Sequence, residues 1–149
     1  MNFVTQRDIA DLHNESELYL RRWSIWLPWG WSIKVHRIVM ADYERCEHDH
    51  PWDFLRVILK GGYVEVRDGV EYTLRPWRPW TFWRVYPCRG PFKHRIDRLL
   101  KGDNWTLALC TPKLRRWGFY TRDGWKPDQE FIEAAKSHKI QWCDDGRQV

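Results

Sequence analysis

The feature that most restricts the fold of this chain is its punctuation. From Leu18 onward, short runs rich in Trp, Ile, Val and Tyr are cut at brief intervals by turn residues. LYLRRWSIWL and WSIKVHRIVM flank Pro28-Trp29-Gly30 and read as a hairpin, although Asn14 with Glu17 could instead cap a helix reaching Trp23. Further strand candidates are WDFLRVILK, YVEVR, EYTLR, TFWRVY, HRIDRL, WTLALCT and WGFYT, separated by Gly61-Gly62, Asp68-Gly69, Pro76 to Pro79, Pro87 to Pro91 and Lys101 to Asn104. Many short strands at this spacing predict an all-β sandwich or barrel. The ends depart from the pattern. Residues 5 to 13 read as a short N-terminal helix, with Thr5 as N-cap and Asp8 three positions on. After Pro127, Asp128 and Glu130 occupy the first turn of a C-terminal helix whose apolar stripe is Phe131, Ile132 and Ala135. The expectation is one domain: an extension over 1–17, a β core over 18–126, and a helix with a loose tail over 127–149.

At 149 residues the chain can bury a core without disulfide support, so Cys46, Cys88, Cys110 and Cys143, which form no CxxC pair, are expected as separate reduced thiols. Twelve Trp against modest Leu, Ile and Val suggest a core built around indoles. Nothing approaches the roughly 20 apolar residues that span a bilayer, and MNFVTQRDIADL lacks a signal pattern, which predicts a soluble, cytoplasmic protein with no membrane partner. A net charge of +5 favours anionic partners. The basic residues are scattered, with Arg21-Arg22 and Arg115-Arg116 explained equally by a solvated face, so a small anionic molecule is a better expectation than nucleic acid. The aromatic run from Trp23 to Trp31 could seal a homodimer or simply pack in the core.

The chemistry concentrates in Glu47-His48-Asp49-His50-Pro51-Trp52-Asp53-Phe54. Side chains at i and i+2 of a strand share a face, so His48 and His50 can aim at one point. On the next strand the reading places Leu55, Val57 and Leu59 inward and Arg56 and Lys60 in water. Asp53 then starts the inward row, with a bulge at Pro51 shifting the phase, and a buried carboxylate there calls for a cation. His94, opening HRIDRL, supplies a third imidazole. His13 and His138 read as solvated residues on surface helices. His36, within KVHRIV, is either a hydrogen-bonded core histidine or a ligand or catalytic group. Glu65 is the alternative carboxylate, although Val64 and Val66 suggest that Tyr63 and Glu65 face outward.

HDHPWDFLRVILKGG, residues 48 to 62, resembles the first motif of the cupin superfamily: HxH, an acidic ligand, then a glycine turn. Pro91 to His94 is similar to the shorter second motif. More closely, YLRRW, HDHPWDF, GGY, HRI, WTL and RRWGFYTRDGW resemble a group of bacterial and phage cupin-like proteins. The resemblance implies a jelly-roll β-barrel with His48, His50 and His94 as metal ligands. The family's acid falls four or five residues after the second His, where this chain has Phe54 and Leu55; Asp53 is one step early. Such a donor set suits Fe(II), Zn, Mn, Ni or Co alike, and the resemblance to cupin dioxygenases implies Fe(II) foremost. The resemblance implies a non-haem iron dioxygenase or other oxidoreductase. Net positive charge left at the metal points to a small anionic molecule, with Arg84 or Arg95 as a fork for its carboxylate, although Arg95 alternates with His94 and should face away, and with Tyr63, Tyr86 and Tyr120 as pocket phenols. Of these, Tyr63 and Arg84 are the catalytic candidates. A sugar isomerase or epimerase, and a non-catalytic metal- or ligand-binding module, are the alternatives.

Overall fold

The computed structural model describes residues 4–11, 15–42, 46–81, 84–137 and 143. Strand β1 (Val4–Ala10) pairs antiparallel with β2 (Leu18–Trp26), which turns through a 3-10 segment at Pro28–Gly30 into β3 (Ser32–Ile38). The short β4 (Glu47–His48) is followed by β5 (Phe54–Lys60), β6 (Tyr63–Arg67), β7 (Val70–Leu74), β8 (Tyr86–Cys88), β9 (Arg95–Leu99), β10 (Asn104–Cys110), β11 (Gly118–Thr121) and β12 (Gly124–Pro127). Helix α1 (Asp128–Lys136) closes the described fold, burying Phe131 and Ala135 as the apolar stripe requires.

Six strands form one sheet in the order β1-β2-β3-β10-β5-β8, and two three-stranded sheets run β12-β11-β4 and β7-β6-β9. The two smaller sheets meet at one place among the described residues. There the backbones of His48 and His94 exchange hydrogen bonds of 2.8 and 3.0 Å as an antiparallel bridge. The core lies between the layers, with Leu20, Ile38 and Ile58 of the large sheet against Tyr63, Leu74 and Ile96. The result is a two-layer β-sandwich. At the turn from β5 to β6, Gly61 and Gly62 have φ of +84° and +110°. A side chain on Gly61 would also collide with Asn104, whose Oδ1 accepts from the Gly62 amide.

Four expectations are overturned. The predicted N-terminal helix is instead β1: its local cap signals are outweighed by seven residues of pairing with β2, including a bidentate Asp8–Arg21 ion pair at 2.7 Å. The core is not built on indoles. Among the described residues no Trp belongs to the buried core, Trp29 is 89% exposed, and Trp23 stacks on Trp105 with centroids 5.6 Å apart. Cys46 and Cys143 are joined in a disulfide, leaving Cys88 and Cys110 as free buried thiols. Finally, the phase of β5 is opposite to the reading. Arg56 and Ile58 are buried, whereas Leu55 and Leu59 are each 43% exposed. Phe54, Arg56 and Ile58 face inward, the same parity as His48 and His50, so no bulge at Pro51 is needed and Asp53 does not begin an inward row; Lys60, beyond a register shift, is exposed as expected.

Candidate metal centre

The HDH stretch alternates as a strand should. Asp49 points away from the histidines and is buried beneath the β11–β12 hairpin. It accepts from the Gly118 amide at 2.7 Å, the Tyr120 hydroxyl at 3.1 Å and the Trp125 indole at 3.3 Å. With Asp49 pinned outward, His48 and His50 must project inward on either side of it. The backbone bridge brings His94 to them.

The three histidines form a group whose donor atoms all lie within 4.8 Å of one another. The Nε2 atoms of His50 and His94 are 2.9 Å apart. Two nitrogens bound to one ion at ~2.1 Å and at right angles stand about 3 Å apart, so this separation suits shared coordination. Burial pushes His48 down to about 4, against the opposing pull of Asp42, and holds His50 well below the ordinary imidazole range with help from His94, His48, Arg56 and Arg22. Both are neutral near pH 7, the form that binds metal. His48 Nδ1 is buried without a hydrogen bond; its nearest carboxylate oxygen, on Asp42, is 4.0 Å away. A set of three converging imidazoles, with an unsatisfied nitrogen on His48 and the Nε2 atoms of His50 and His94 facing each other, fits a divalent ion.

Glu65 and Tyr63, expected to face outward, are buried at 0% and 2% exposure, because β6 is covered on both faces. Glu65 Oε2 lies 2.8 Å from His94 Nδ1, and Oε1 accepts from Arg56 at 2.6 Å and from Arg67. Burial would raise the Glu65 carboxyl, but Arg56 and His94 outweigh it and hold it well below the usual carboxylate range. An ionised carboxylate only accepts, so His94 Nδ1 carries the proton and its Nε2 lone pair is turned toward His50. Arg56 Nη1 also donates to the Tyr63 hydroxyl at 3.1 Å. Tyr63 therefore lines the cavity as a partner of Arg56, and burial raises its phenol above the ordinary value.

Asp53 lies outside the histidine group. Its Oδ1 accepts from Arg115 Nη2 at 2.5 Å and from the Gly90 amide at 3.0 Å, and the Arg115 bond lowers its carboxyl. Arg84 is likewise elsewhere, donating to the Pro76 carbonyl at 2.9 Å, and Arg95 pairs with Asp97 at 3.5 Å. His13 and His138 fall outside the described residues. The cations that do line the cavity are others, Arg56 and Arg22 foremost, within a space of about 480 Å³ shared with the three histidines. Sequence reasoning passed over Arg56, although its parity with His48 and His50 was there to be seen. Rings of Phe54, Phe92 and Phe119 lie 5.0 to 5.7 Å from the imidazoles and wall the site from water.

This architecture and this donor set define a class: a cupin-fold sandwich with a three-histidine group able to hold a metal ion. The fold follows from likeness to solved structures. A cupin-2 domain from Rhodospirillum rubrum is similar over 93% of this chain and 90% of its own, with a TM-score of 0.59 at 11% identity. FeII HppE is similar over 72% of this chain with a TM-score of 0.55 at 9% identity, and AerE from Microcystis aeruginosa over 78% with 0.52 at 12%. The chain spans 56% and 53% of the lengths of those two. At such identities the likeness is one of fold. No protein-family model and no curated protein matches the sequence. No helix among the described residues is long and apolar enough to cross a membrane.

Proposed function

We propose that this protein is a metal-dependent oxidoreductase of the non-haem iron type, acting on a small anionic molecule held in the cavity beside His48, His50 and His94. The convergence of the three imidazoles within 4.8 Å carries the reading. The iron named for HppE, a neighbour in fold, favours iron over other divalent metals. When bound, the ion would supply Lewis-acid and redox chemistry. The residues of the chain do the rest. Glu65 fixes the tautomer of His94, Asp49 sets the direction of its two neighbours, and Phe54, Phe92 and Phe119 keep bulk water away. With no carboxylate in the histidine group, a divalent ion there would keep a net positive charge at its donor atoms. That charge favours a negatively charged substrate.

Metal analysis after anaerobic purification, followed by oxygen uptake in the presence of small carboxylic acids, tests the reading. Stoichiometric iron with oxygen uptake is the expected result. Zinc alone with no oxygen uptake removes the oxidoreductase assignment, and failure to take up any divalent metal removes the metal site.

A further inference from the structure

Across the inner face of the large sheet runs a row of directly paired residues, Arg7, Arg22, His36 and Thr106, on β1, β2, β3 and β10. Arg22 Nε donates to His36 Nε2 at 2.9 Å, and His36 Nδ1 lies 3.2 Å from Thr106 Oγ1. Because a guanidinium N–H can only donate, His36 Nε2 must accept, which places the imidazole proton on Nδ1 and directs it at the threonine hydroxyl. Only a neutral His36 can do this. Burial, with the charges of Arg22 and Lys34, keeps it neutral by holding it well below the ordinary imidazole range.

The arrangement uses one nitrogen of Arg22, and its two terminal nitrogens have no hydrogen-bond partner among the described residues. None of the ion pairs among the described residues involves Arg22, whereas the neighbouring Arg21 pairs with Asp8 and Arg37 with Asp103. Arg22 lines the same cavity as the three histidines, and its charge is felt at His50. Arg7 and Lys113 lie on the cavity rim and add to the positive field. The same lining carries three acids, Asp11, Asp42 and Asp128; Asp42 is committed to the Tyr19 hydroxyl and the Ile96 amide.

We propose that Arg22 anchors the oxyanion end of the bound molecule, a carboxylate or phosphate, while the rest of that molecule reaches toward the three histidines, and that His36 is the positioning residue that aims the Arg22 fork. This deepens the reading of the cavity as a site for a small anionic molecule and rests on it. A half-buried guanidinium held by a neutral base, with a free fork facing a cavity, is built to receive a planar or tetrahedral oxyanion through two parallel hydrogen bonds.

The test uses inorganic phosphate and succinate as probes on the cobalt-loaded protein, read by calorimetry. Arg22→Gln is expected to weaken one or both probes about tenfold or more while cobalt affinity is unchanged. His50→Ala loses cobalt, so a failed metal site shows up in that measurement alone, and it should retain probe binding to the metal-free protein within about threefold. His36→Leu should weaken the probes like Arg22→Gln. His36→Gln, which restores an acceptor for Arg22, should recover them, a rescue that a merely structural role would not give. On the wild-type protein, saturating phosphate should protect Arg22 from phenylglyoxal, a measurement independent of variant folding. The proposal is overturned by any of three outcomes: no saturable binding of either probe at millimolar concentration, full binding by Arg22→Gln, or phenylglyoxal labelling of Arg22 unaffected by phosphate.

Discussion

Two buried clusters of charge face the same cavity and are built on opposite principles. Behind His94, Glu65 takes hydrogen bonds from Arg56, Arg67 and His94, so both guanidiniums share one counter-charge and the carboxylate is fully enclosed. On the large sheet, Arg22 has a neutral imidazole for a partner and, among the described residues, no carboxylate. The saturated cluster holds itself together. The unsaturated one holds a cation toward the cavity, a posture that costs desolvation and offers little stability in return. Buried charge alone therefore does not mark a site; the presence or absence of the opposing charge separates a structural support from a receptor.

Glu65→Gln is the strongest way to break this contrast. It strands Arg56, which is 4% exposed, and should cost about 3–5 kcal/mol in urea denaturation; a cost below about 1 kcal/mol would mean that the cluster is not self-supporting. It should also weaken metal binding by about 10- to 100-fold, because His94 loses the acceptor that fixes its tautomer. His50→Ala sharpens the comparison from the other side. Cobalt absorption spectroscopy should show at least about a hundredfold loss of affinity, with the metal-free protein as stable as before. An unchanged cobalt spectrum would take the imidazole out of the ligand set.

The third prediction concerns pH. His36 is depressed in the folded protein, so as pH falls below the unfolded value near 6.5 the unfolded chain takes up a proton that the folded chain refuses. Stability therefore falls with decreasing pH over that window, and His36→Gln should flatten the fall by about 1.4 kcal/mol per pH unit. Identical pH profiles would show that His36 is not held neutral. The smallest effect is reserved for Arg22→Gln, whose metal-free protein should unfold within about 1 kcal/mol of wild type. A loss as large as that of Glu65→Gln would erase the distinction between the clusters.

The sequence made the β architecture readable because its signals are local: alternating strands, the hairpin around Pro28, the glycine turn at Gly61-Gly62 and the C-terminal helix after Pro127. The i, i+2 spacing brings His48 and His50 to one face, and strand position brings His94 to join them. The misreadings share a physical origin in contacts remote along the chain. Arg56 faces inward against its hydropathy because Glu65, nine residues on, neutralises it. Residues 4 to 10 form a strand in spite of helix-like caps because β2 offers a full ladder of partners. Cys46 and Cys143 are 97 residues apart, and nothing in their spacing announces a bridge. Charge-out, apolar-in is a rule about single side chains, and it fails wherever two charges enter together.

The bridge between His48 and His94 has a further consequence. Two of the three clustered histidines also form the backbone bridge between the smaller sheets. An ion held by their side chains would rivet the same seam that their backbones close, so occupancy and the integrity of that layer become one equilibrium. The amide protons of His48 and His94 would then report metal supply directly. They would exchange slowly in a loaded molecule and faster in a starved one, and the layer would loosen from its middle, where the three histidines converge, before it frayed at its edges.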